Sequence, residues 1–238
     1  MKLLDRYNEN DLVFLDIETT RAVKALKKGT PLYEAWAYKS RYENEISKKT
    51  GLPLTMEEYF VEKAALYSVF GKVAAIVAGR ISADGKTLKT KKYFGTDESE
   101  MLKSFNDDVE KVLEKNPNAI LVGWANLGFD DPFLNRRMLI NGIEPNRLID
   151  TVGAKPWECP ALDLKDLWKG TGFYPDSLIA TAVAFGLPSP KSKMDGSQVS
   201  DYYFAGKLQE IADYCELDVL TAANLFRKFK NQSLLTLA

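Results

Sequence analysis

Carboxylates at the ends of hydrophobic runs are the residues of this chain best suited to chemistry. Asp16 and Glu18 close the run LVFLDIE, and residues two apart on a strand point to the same side. Such a pair suits Mg²⁺ or Mn²⁺, which prefer oxygen ligands and need few from protein. A second D-x-E, Asp108 to Glu110, lies in an amphipathic helical pattern where a solvated face explains it. Helix capping remains an alternative role for Asp16 and Glu18.

A third acid follows the second hydrophobic run, in GWANLGFDDPFL. Open α/β sheets bind ligands outside the carboxyl ends of their strands, so Asp130 could meet Asp16 and Glu18 there. A helix is expected to begin near Pro132, because proline suits a first helical turn. We assign the capping of that helix to Asp131 and metal binding to Asp130.

The last candidates lie on a carboxyl-terminal helical pattern, where Tyr214 and Asp218 are four residues apart. Residues at this spacing share one face of a helix. Both border the apolar stripe through Ile211 and Cys215, so they can face a cleft beside the buried seam. The YxxxD spacing occurs three times in the chain, so the spacing alone carries no weight.

Composition excludes several other chemistries. The chain of 238 residues has no histidine, which excludes Ser-His-Asp and Cys-His systems and HExxH zinc sites. Its two cysteines, Cys159 and Cys215, are too few for a disulfide framework or a thiolate zinc cage. The formal net charge of −1 means that nucleic-acid binding requires a local groove or bound cations.

Hydrophobic periodicity predicts an α/β domain with a mixed sheet. We expect a strand at Leu12–Ile17, an antiparallel hairpin, an amphipathic helix, a second buried strand, and several short helices before a long terminal one. The hairpin strands are Lys72–Ile81 and Thr87–Phe94, the amphipathic helix is Asp97–Lys115, and the buried strand is Ala119–Ala125. The short helices are Asp163–Lys169, Ser177–Phe185 and Gln198–Ala205, and the terminal helix is Lys207–Lys230.

Arg21–Tyr67 interrupts this pattern as an insertion of short helices and loops rich in aromatic and charged residues. We expect a single domain over residues 1–238. The amino terminus lacks a signal-peptide core and no apolar run could span a bilayer, so we expect a cytoplasmic protein that does not bind membranes.

In order along the chain, FLDIETT, NLGFDDPFL and YCELD resemble the motifs of the DEDD superfamily of 3′-5′ exonucleases in its tyrosine-bearing branch. The chain most resembles the exonuclease domain of family B DNA polymerases and its stand-alone relatives, from Leu12 to about Phe229. The resemblance implies a ribonuclease-H-like fold: a mixed sheet flanked by helices, with a helical insertion after the first strand. The absence of histidine agrees, because the sister branch needs one.

The resemblance also implies roles for individual residues. Four acids would hold two divalent cations, Mg²⁺ or Mn²⁺: Asp16, Glu18, Asp130 and Asp218. Tyr214 would orient the attacking water. Thr19, Asn126 and Phe129 would lie near the terminal nucleotide, although capping or packing explains each of them equally well.

The implied activity is removal of nucleoside 5′-monophosphates from the 3′ end of single-stranded DNA. Two alternatives stay open: an enzyme that degrades RNA or oligonucleotides, and a catalytically silent nucleic-acid-binding subunit associated with a polymerase. A polymerase or another replication or repair protein is a conceivable partner. Aromatic residues of the insertion could stack bases, or could form core: Trp36, Tyr38, Tyr42 and Tyr59. Loop and hairpin lysines are candidate contacts to the phosphate backbone: Lys86, Lys89, Lys91, Lys92, Lys191 and Lys193.

Overall fold

The computed structural model of the chain describes residues 2–43, 46, 51–172, 176–188 and 194–238. Lys191 and Lys193 lie outside the described residues. The strands are β1 Leu12–Arg21, β2 Gly71–Ile81, β3 Thr87–Phe94, β4 Ile120–Gly123, β5 Ala161–Asp163 and β6 Thr236–Leu237. The helices are α1 Pro31–Ser40, α2 Met56–Lys63, α3 Glu98–Lys115, α4 Asp130–Ile140, α5 Leu164–Lys169, α6 Leu178–Ala184, α7 Val199–Phe204 and α8 Leu208–Phe229. Short 3-10 turns lie at Lys2–Arg6, Glu9–Asp11, Ala64–Leu66 and Gly196–Gln198.

The strands form one mixed sheet in the order β5-β4-β1-β2-β3-β6. β1 is antiparallel to β2 and parallel to β4, and β3 runs antiparallel to β2, so the predicted hairpin and buried strands are confirmed. β1 is longer than predicted, because Thr19 to Arg21 continue to pair with β2 despite their polar side chains. The two-residue β6 and the three-residue β5 were not predicted, since such short strands have no periodicity to detect.

Helices cover both faces of the sheet. On one face, α8 packs its apolar stripe, including Val219 and Phe226, against Phe14 of β1 and Val77 of β2. On the other face, α3 and α4 pack against β1, β2 and β4. The alternation of side chains along β1 therefore sends its even-numbered residues toward α8, which fixes the direction of Asp16 and Glu18.

The insertion has a small apolar core of its own. Trp36 of α1 is fully buried against Tyr59, Phe60 and Phe70, and its indole nitrogen donates to the backbone oxygen of Met56. Because Trp36 and Tyr59 are buried, the prediction that they could stack bases is wrong. Their role is packing in the core.

The insertion rejoins the sheet at Gly71, where a close backbone approach requires glycine. A Cβ there would lie 3.0 Å from the backbone oxygen of Thr20 and 3.1 Å from that of Ala64. The helical insertion is thus held directly against the end of β1. Among the described residues, no helix has both the length and the apolar character needed to cross a membrane.

Candidate active site

Asp16 and Glu18 lie in the middle part of β1, opposite Val77 and Ala75 of β2, and not at its end as predicted, because β1 continues to Arg21. The pairing shifts by one residue directly after Glu18, because Thr19 lies opposite Val73 and Ala74 is left without a partner in the register. Such a bulge bends the strand and changes side-chain directions, and bulges are common beside active sites. Thr19, the first residue after the shift, is largely buried, and its contact with a nucleotide stays a prediction.

Three acids meet between β1 and α8. One ligand oxygen from each of Asp16, Glu18 and Asp218 lies within 4.8 Å of the other two. Burial raises the pKa of the Asp16 carboxyl well above its usual range, and the nearby carboxylates of Asp130, Glu18 and Asp218 raise it further. Carboxylates that repel one another in a buried place gain stability from a cation or a proton.

Asp130 stands beside this group at the start of α4. It is 5% exposed, and its Oδ1 accepts a hydrogen bond from the backbone nitrogen of Ile17, the residue between the two acids of β1, at 3.0 Å. Burial raises its pKa to about 7, with Asp163 and Asp218 adding to the effect and hydrogen bonds from backbone N–H groups opposing it. Asp130 is therefore tied to β1 by its own side chain.

Tyr214 lies one helical turn before Asp218 on α8 and is 8% exposed. Burial raises the pKa of its hydroxyl, and the carboxylates of Asp218, Glu18 and Asp16 raise it further. A hydroxyl that interacts with all three acids faces the acidic group rather than the apolar core, and it stays protonated at any physiological pH.

Cys215 touches the acidic group from the other side, which the sequence analysis missed. Its thiol lies 3.2 Å from Oδ2 of Asp16 and 3.3 Å from the backbone oxygen of the same residue. In the sequence Cys215 was counted only as part of the apolar stripe of α8. Its position beside Tyr214 in YCELD was the one signal that placed it near the site.

The loop between β4 and α4 places Asn126 and Phe129. A Cβ on Gly123 would lie 2.8 Å from Cβ of Asn126, so glycine lets this loop fold back tightly over the end of β4. Asn126 is fully buried, and Phe129 packs in the core with its ring centroid 5.4 Å from that of Phe133. Contact of Asn126 or Phe129 with a nucleotide stays a prediction.

The prediction that Asp131 caps the following helix is wrong. The helix begins at Asp130, and its N-cap residue, Phe129, makes no side-chain capping bond. Asp131 lies inside the first turn, where its carboxylate accepts a hydrogen bond from the amide of Asn126 at 3.0 Å. Burial, followed by the charge of Asp130, raises the pKa of Asp131 to about 8.

Asp163 is a second residue that the sequence analysis missed as part of the site. It ends β5 and caps α5, and its oxygens also accept from the backbone nitrogens of Ala125 and Leu127 at 2.9 and 3.3 Å. Ala125 has a positive φ of 66°, a conformation that costs energy for a residue with a Cβ. Asp163 thus holds the loop that leads to Asp130.

Two of the hairpin lysines are paired with acids. Lys92 bridges Asp213 and Glu216 of α8 at 2.7 and 2.6 Å, and Lys91 pairs with Asp108 of α3. Their first role is to attach β3 to the helices on either side of the sheet.

The acidic group fits a site for divalent cations. Its donors are carboxylate oxygens, the ligand type that Mg²⁺ and Mn²⁺ prefer. Burial, followed by the neighbouring carboxylates, raises the pKa of Asp16, so its anionic form is disfavoured without a cation. Asp16, Glu18 and Asp218 meet at this edge of the sheet, and Asp130 lies beside them, bonded to the backbone of Ile17. We call these four acids the acidic edge.

Comparison with solved structures gives the class of the fold. The chain is similar to the family B DNA polymerase from the hyperthermophilic archaeon Pyrobaculum calidifontis, with a TM-score of 0.55 and 17% sequence identity. The similarity covers 92% of this chain and 24% of the polymerase, so the chain spans about a quarter of that protein's length. The fold is the ribonuclease-H-like fold of a polymerase exonuclease domain, as predicted. No curated protein matches the chain.

Residues 65–234 match the family described as "Predicted 3′-5′ exonuclease related to the exonuclease domain of PolB". The match covers more than half of the chain, so this protein belongs to that family. The resemblance read from the sequence is thereby confirmed. The matched range contains Asp130, Tyr214 and Asp218, whereas Asp16 and Glu18 precede it.

Proposed function

We propose that this protein is a metal-dependent 3′-5′ exonuclease that removes nucleoside 5′-monophosphates from the 3′ end of single-stranded DNA. The observation that carries the proposal is the meeting of Asp16, Glu18 and Asp218 within 4.8 Å of one another. Asp130 is tied to the same strand, and membership of a family of exonucleases supports the reaction class. We take residues 1–238 as one exonuclease domain in this proposal.

The acidic edge would hold two divalent cations, Mg²⁺ or Mn²⁺. Bound there, such cations neutralise phosphate charge and favour the attack of water on the terminal phosphodiester. Asp16 lies centrally among these acids, because its pKa responds to each of the other three. Asp16 is therefore the acid on which we expect cation binding to depend most.

Tyr214 would position the water. Its hydroxyl stays protonated, so it can donate one hydrogen bond and accept another. Cys215 would steady the Asp16 carboxylate through its thiol contact. Thr19 and Phe129 would border the terminal nucleotide, and Asn126 would support Phe129 from within the loop.

A catalytically silent binding module is the weaker candidate. Carboxylates that face phosphate without a cation would repel a nucleic acid, so a binding role alone gives no reason to gather these four acids. The choice between DNA and RNA depends on contacts to the 2′-hydroxyl, and single-stranded DNA is our proposal because the fold is that of a DNA polymerase's exonuclease domain. A polymerase, or another protein of replication or repair, is the corresponding partner class.

The substrate is tested by digestion of end-labelled strands. Single-stranded DNA, double-stranded DNA and single-stranded RNA of one sequence are incubated with Mg²⁺, with Mn²⁺ and with excess chelator. We expect fastest shortening of single-stranded DNA, and only with a cation. Faster hydrolysis of RNA would move the protein to the ribonuclease alternative, and no hydrolysis of any strand would favour the binding module.

A further inference from the structure

Two exposed tyrosines and an arginine form a stack at the end of α1. The guanidinium carbon of Arg41 lies 3.4 Å from the ring centroid of Tyr38 and 4.7 Å from that of Tyr42. Tyr38 is 71% exposed and Tyr42 is 81% exposed. We call these three residues the Tyr-Arg stack. Tyrosine and arginine are enriched on surfaces that bind a partner.

The Tyr-Arg stack is held in place from below by the core of the insertion. Trp36, two residues before Tyr38 and so on the opposite side of the same helix, is fully buried and donates a hydrogen bond to the backbone of α2. Arg41 also donates to the backbone oxygen of Tyr38 at 2.8 Å. The rings are therefore presented by an anchored helix end, and little ordering is needed when a planar ligand stacks on them.

The segment that carries the stack is strongly basic. Residues 21–43 contain six Lys or Arg and two Glu, a net charge of +4 in a chain whose total is −1. Lys24, Lys27 and Lys28 are exposed, and none of them forms an ion pair with another described residue. Basic side chains interleaved with exposed aromatic rings are the combination that binds single strands, through phosphate contacts and base stacking.

The same segment starts at the acidic edge. Arg21 ends β1 three residues after Glu18, and its guanidinium pairs with Asp201 of α7 at 3.2 Å. Lys24 follows Glu18 by six residues, so the two backbones are at most about 20 Å apart. A few nucleotides of a single strand bound at the acidic edge are therefore long enough to span the distance to Lys24.

We propose that residues 21–43 form the track for the upstream part of a single DNA strand, with its bases stacked on the Tyr-Arg stack and its phosphates along Lys24, Lys27 and Lys28. This inference rests on the proposed exonuclease function and adds where the remainder of the substrate lies. The family match begins at residue 65, so the track is a feature of this chain outside the matched range. Nuclease activity on the terminal nucleotides does not require it.

Binding tests the track without hydrolysis. Anisotropy of 5′-fluorescein-labelled dT20 is measured in Ca²⁺ with the wild type, with Tyr38→Ala/Tyr42→Ala and with Tyr38→Phe/Tyr42→Phe. We expect the alanine pair to bind about tenfold more weakly and the phenylalanine pair to bind like the wild type, because the ring is what stacks. As a control, a strand that has bases only on its three 3′-terminal nucleotides and is abasic elsewhere should bind all three proteins equally. Unchanged binding of dT20 by the alanine pair would overturn the proposal.

Hydrolysis gives a second readout and a matched control. With Mn²⁺, we expect the alanine pair to lose about tenfold in kcat/KM on dT20 and to hydrolyse dT3 at the wild-type rate. Trp157→Ala is the control, since Trp157 is a 78% exposed aromatic residue beside Lys155, outside residues 21–43. A loss with Trp157→Ala as large as that of the alanine pair would overturn the track. If the wild type hydrolyses neither strand, the proposed function fails, and the binding measurement alone still decides the track.

Discussion

Replacement of Asp16 by asparagine should abolish hydrolysis and yet stabilise the metal-free protein. Asp16 faces three other carboxylates, and its pKa is raised by burial and by each of them. Asparagine has the same shape, removes the charge, and keeps an oxygen that can accept from the thiol of Cys215. The variant therefore removes repulsion without creating a cavity.

The distances set the size of the effect. Two full charges 4.8 Å apart repel by roughly 3 kcal/mol at an effective dielectric constant of about 20. Burial and the neighbouring carboxylates raise the pKa of Asp16, so the removal of its charge should relieve part of this repulsion. We expect Asp16→Asn to raise the metal-free stability by about 2 kcal/mol, which is about 4–8 °C in Tm for a chain of this size.

Thermal melts in chelator and in Mn²⁺ measure both halves of this prediction. The wild type should gain about 3 kcal/mol when Mn²⁺ is at 100 times its Kd, and Asp16→Asn should gain less than half as much. Asp108→Asn is the matched control, because Asp108 begins the second D-x-E but pairs with Lys111 and Tyr93 on α3 and β3. The hydrogen bond from Lys91, followed by those from Lys111 and Tyr93, lowers the pKa of Asp108 to about 2, so the control should melt slightly lower in chelator and keep the full gain from Mn²⁺.

Two results would refute this reasoning. An equal gain from Mn²⁺ in Asp16→Asn and the wild type would place the cation elsewhere. A lower metal-free Tm in Asp16→Asn would show that the carboxylate stabilises the fold, contrary to the repulsion inferred from its surroundings.

Three further predictions concern Tyr214, Asp131 and Trp36. Tyr214→Phe keeps the ring and removes one positioned hydrogen bond, so turnover at saturating Mn²⁺ should fall about 10²-fold while the Mn²⁺ titration is unchanged; wild-type turnover would make Tyr214 a purely structural residue. The raised pKa of Asp131, about 8, means that the folded state binds more protons than the unfolded state between about pH 4 and pH 8, so stability falls as pH rises through that range. The free energy of unfolding in urea is measured at pH 5 and at pH 8, and the difference between the two values should be smaller in Asp131→Asn than in the wild type. An unchanged difference would contradict the raised pKa of Asp131. Trp36→Ala empties the core of the insertion and should cost about 3–5 kcal/mol in those measurements, and a cost below about 1 kcal/mol would show that the insertion contributes little to the cooperative fold.

Long periodic elements were predictable because their burial pattern repeats. The apolar stripe of α8 and the amphipathic pattern of α3 each predict the helix and its buried face. The hairpin was marked by its glycine-containing turn. These features depend on residues close together in the sequence, so local rules suffice for them.

The residues that were missed depend on tertiary contacts. Asp163 holds Ala125 and Leu127 only because β5 lies beside β4, and three residues of strand carry no recognisable pattern. The thiol of Cys215 reaches Asp16 across 199 positions of sequence. Asp131 was misassigned because the helix starts two residues earlier than Pro132 suggests, so Asp131 lies inside the first turn and is buried there.

The insertion also has some features that the sequence predicts and others that depend on tertiary packing. Its helices follow from two threonine caps, Thr30 and Thr55, that are visible in the sequence. Which of its aromatic residues are buried is decided by how α1 and α2 pack: Trp36 and Tyr59 face each other, whereas Tyr38 and Tyr42 point away. Spacing along one helix could not separate core from surface there, since the partner helix lies some twenty residues later.

The most direct test of the central claim is product analysis of 5′-labelled dT20 under Mn²⁺ for the wild type, Asp16→Asn and Asp108→Asn. We predict that the wild type and Asp108→Asn produce a ladder of strands shortened one nucleotide at a time from the 3′ end, with release of thymidine 5′-monophosphate. Asp16→Asn, and any of the three proteins in excess chelator, should leave the strand intact. Internal cleavage, hydrolysis in chelator, or full activity of Asp16→Asn would contradict the assignment of this acidic edge as a metal-dependent 3′-5′ exonuclease site.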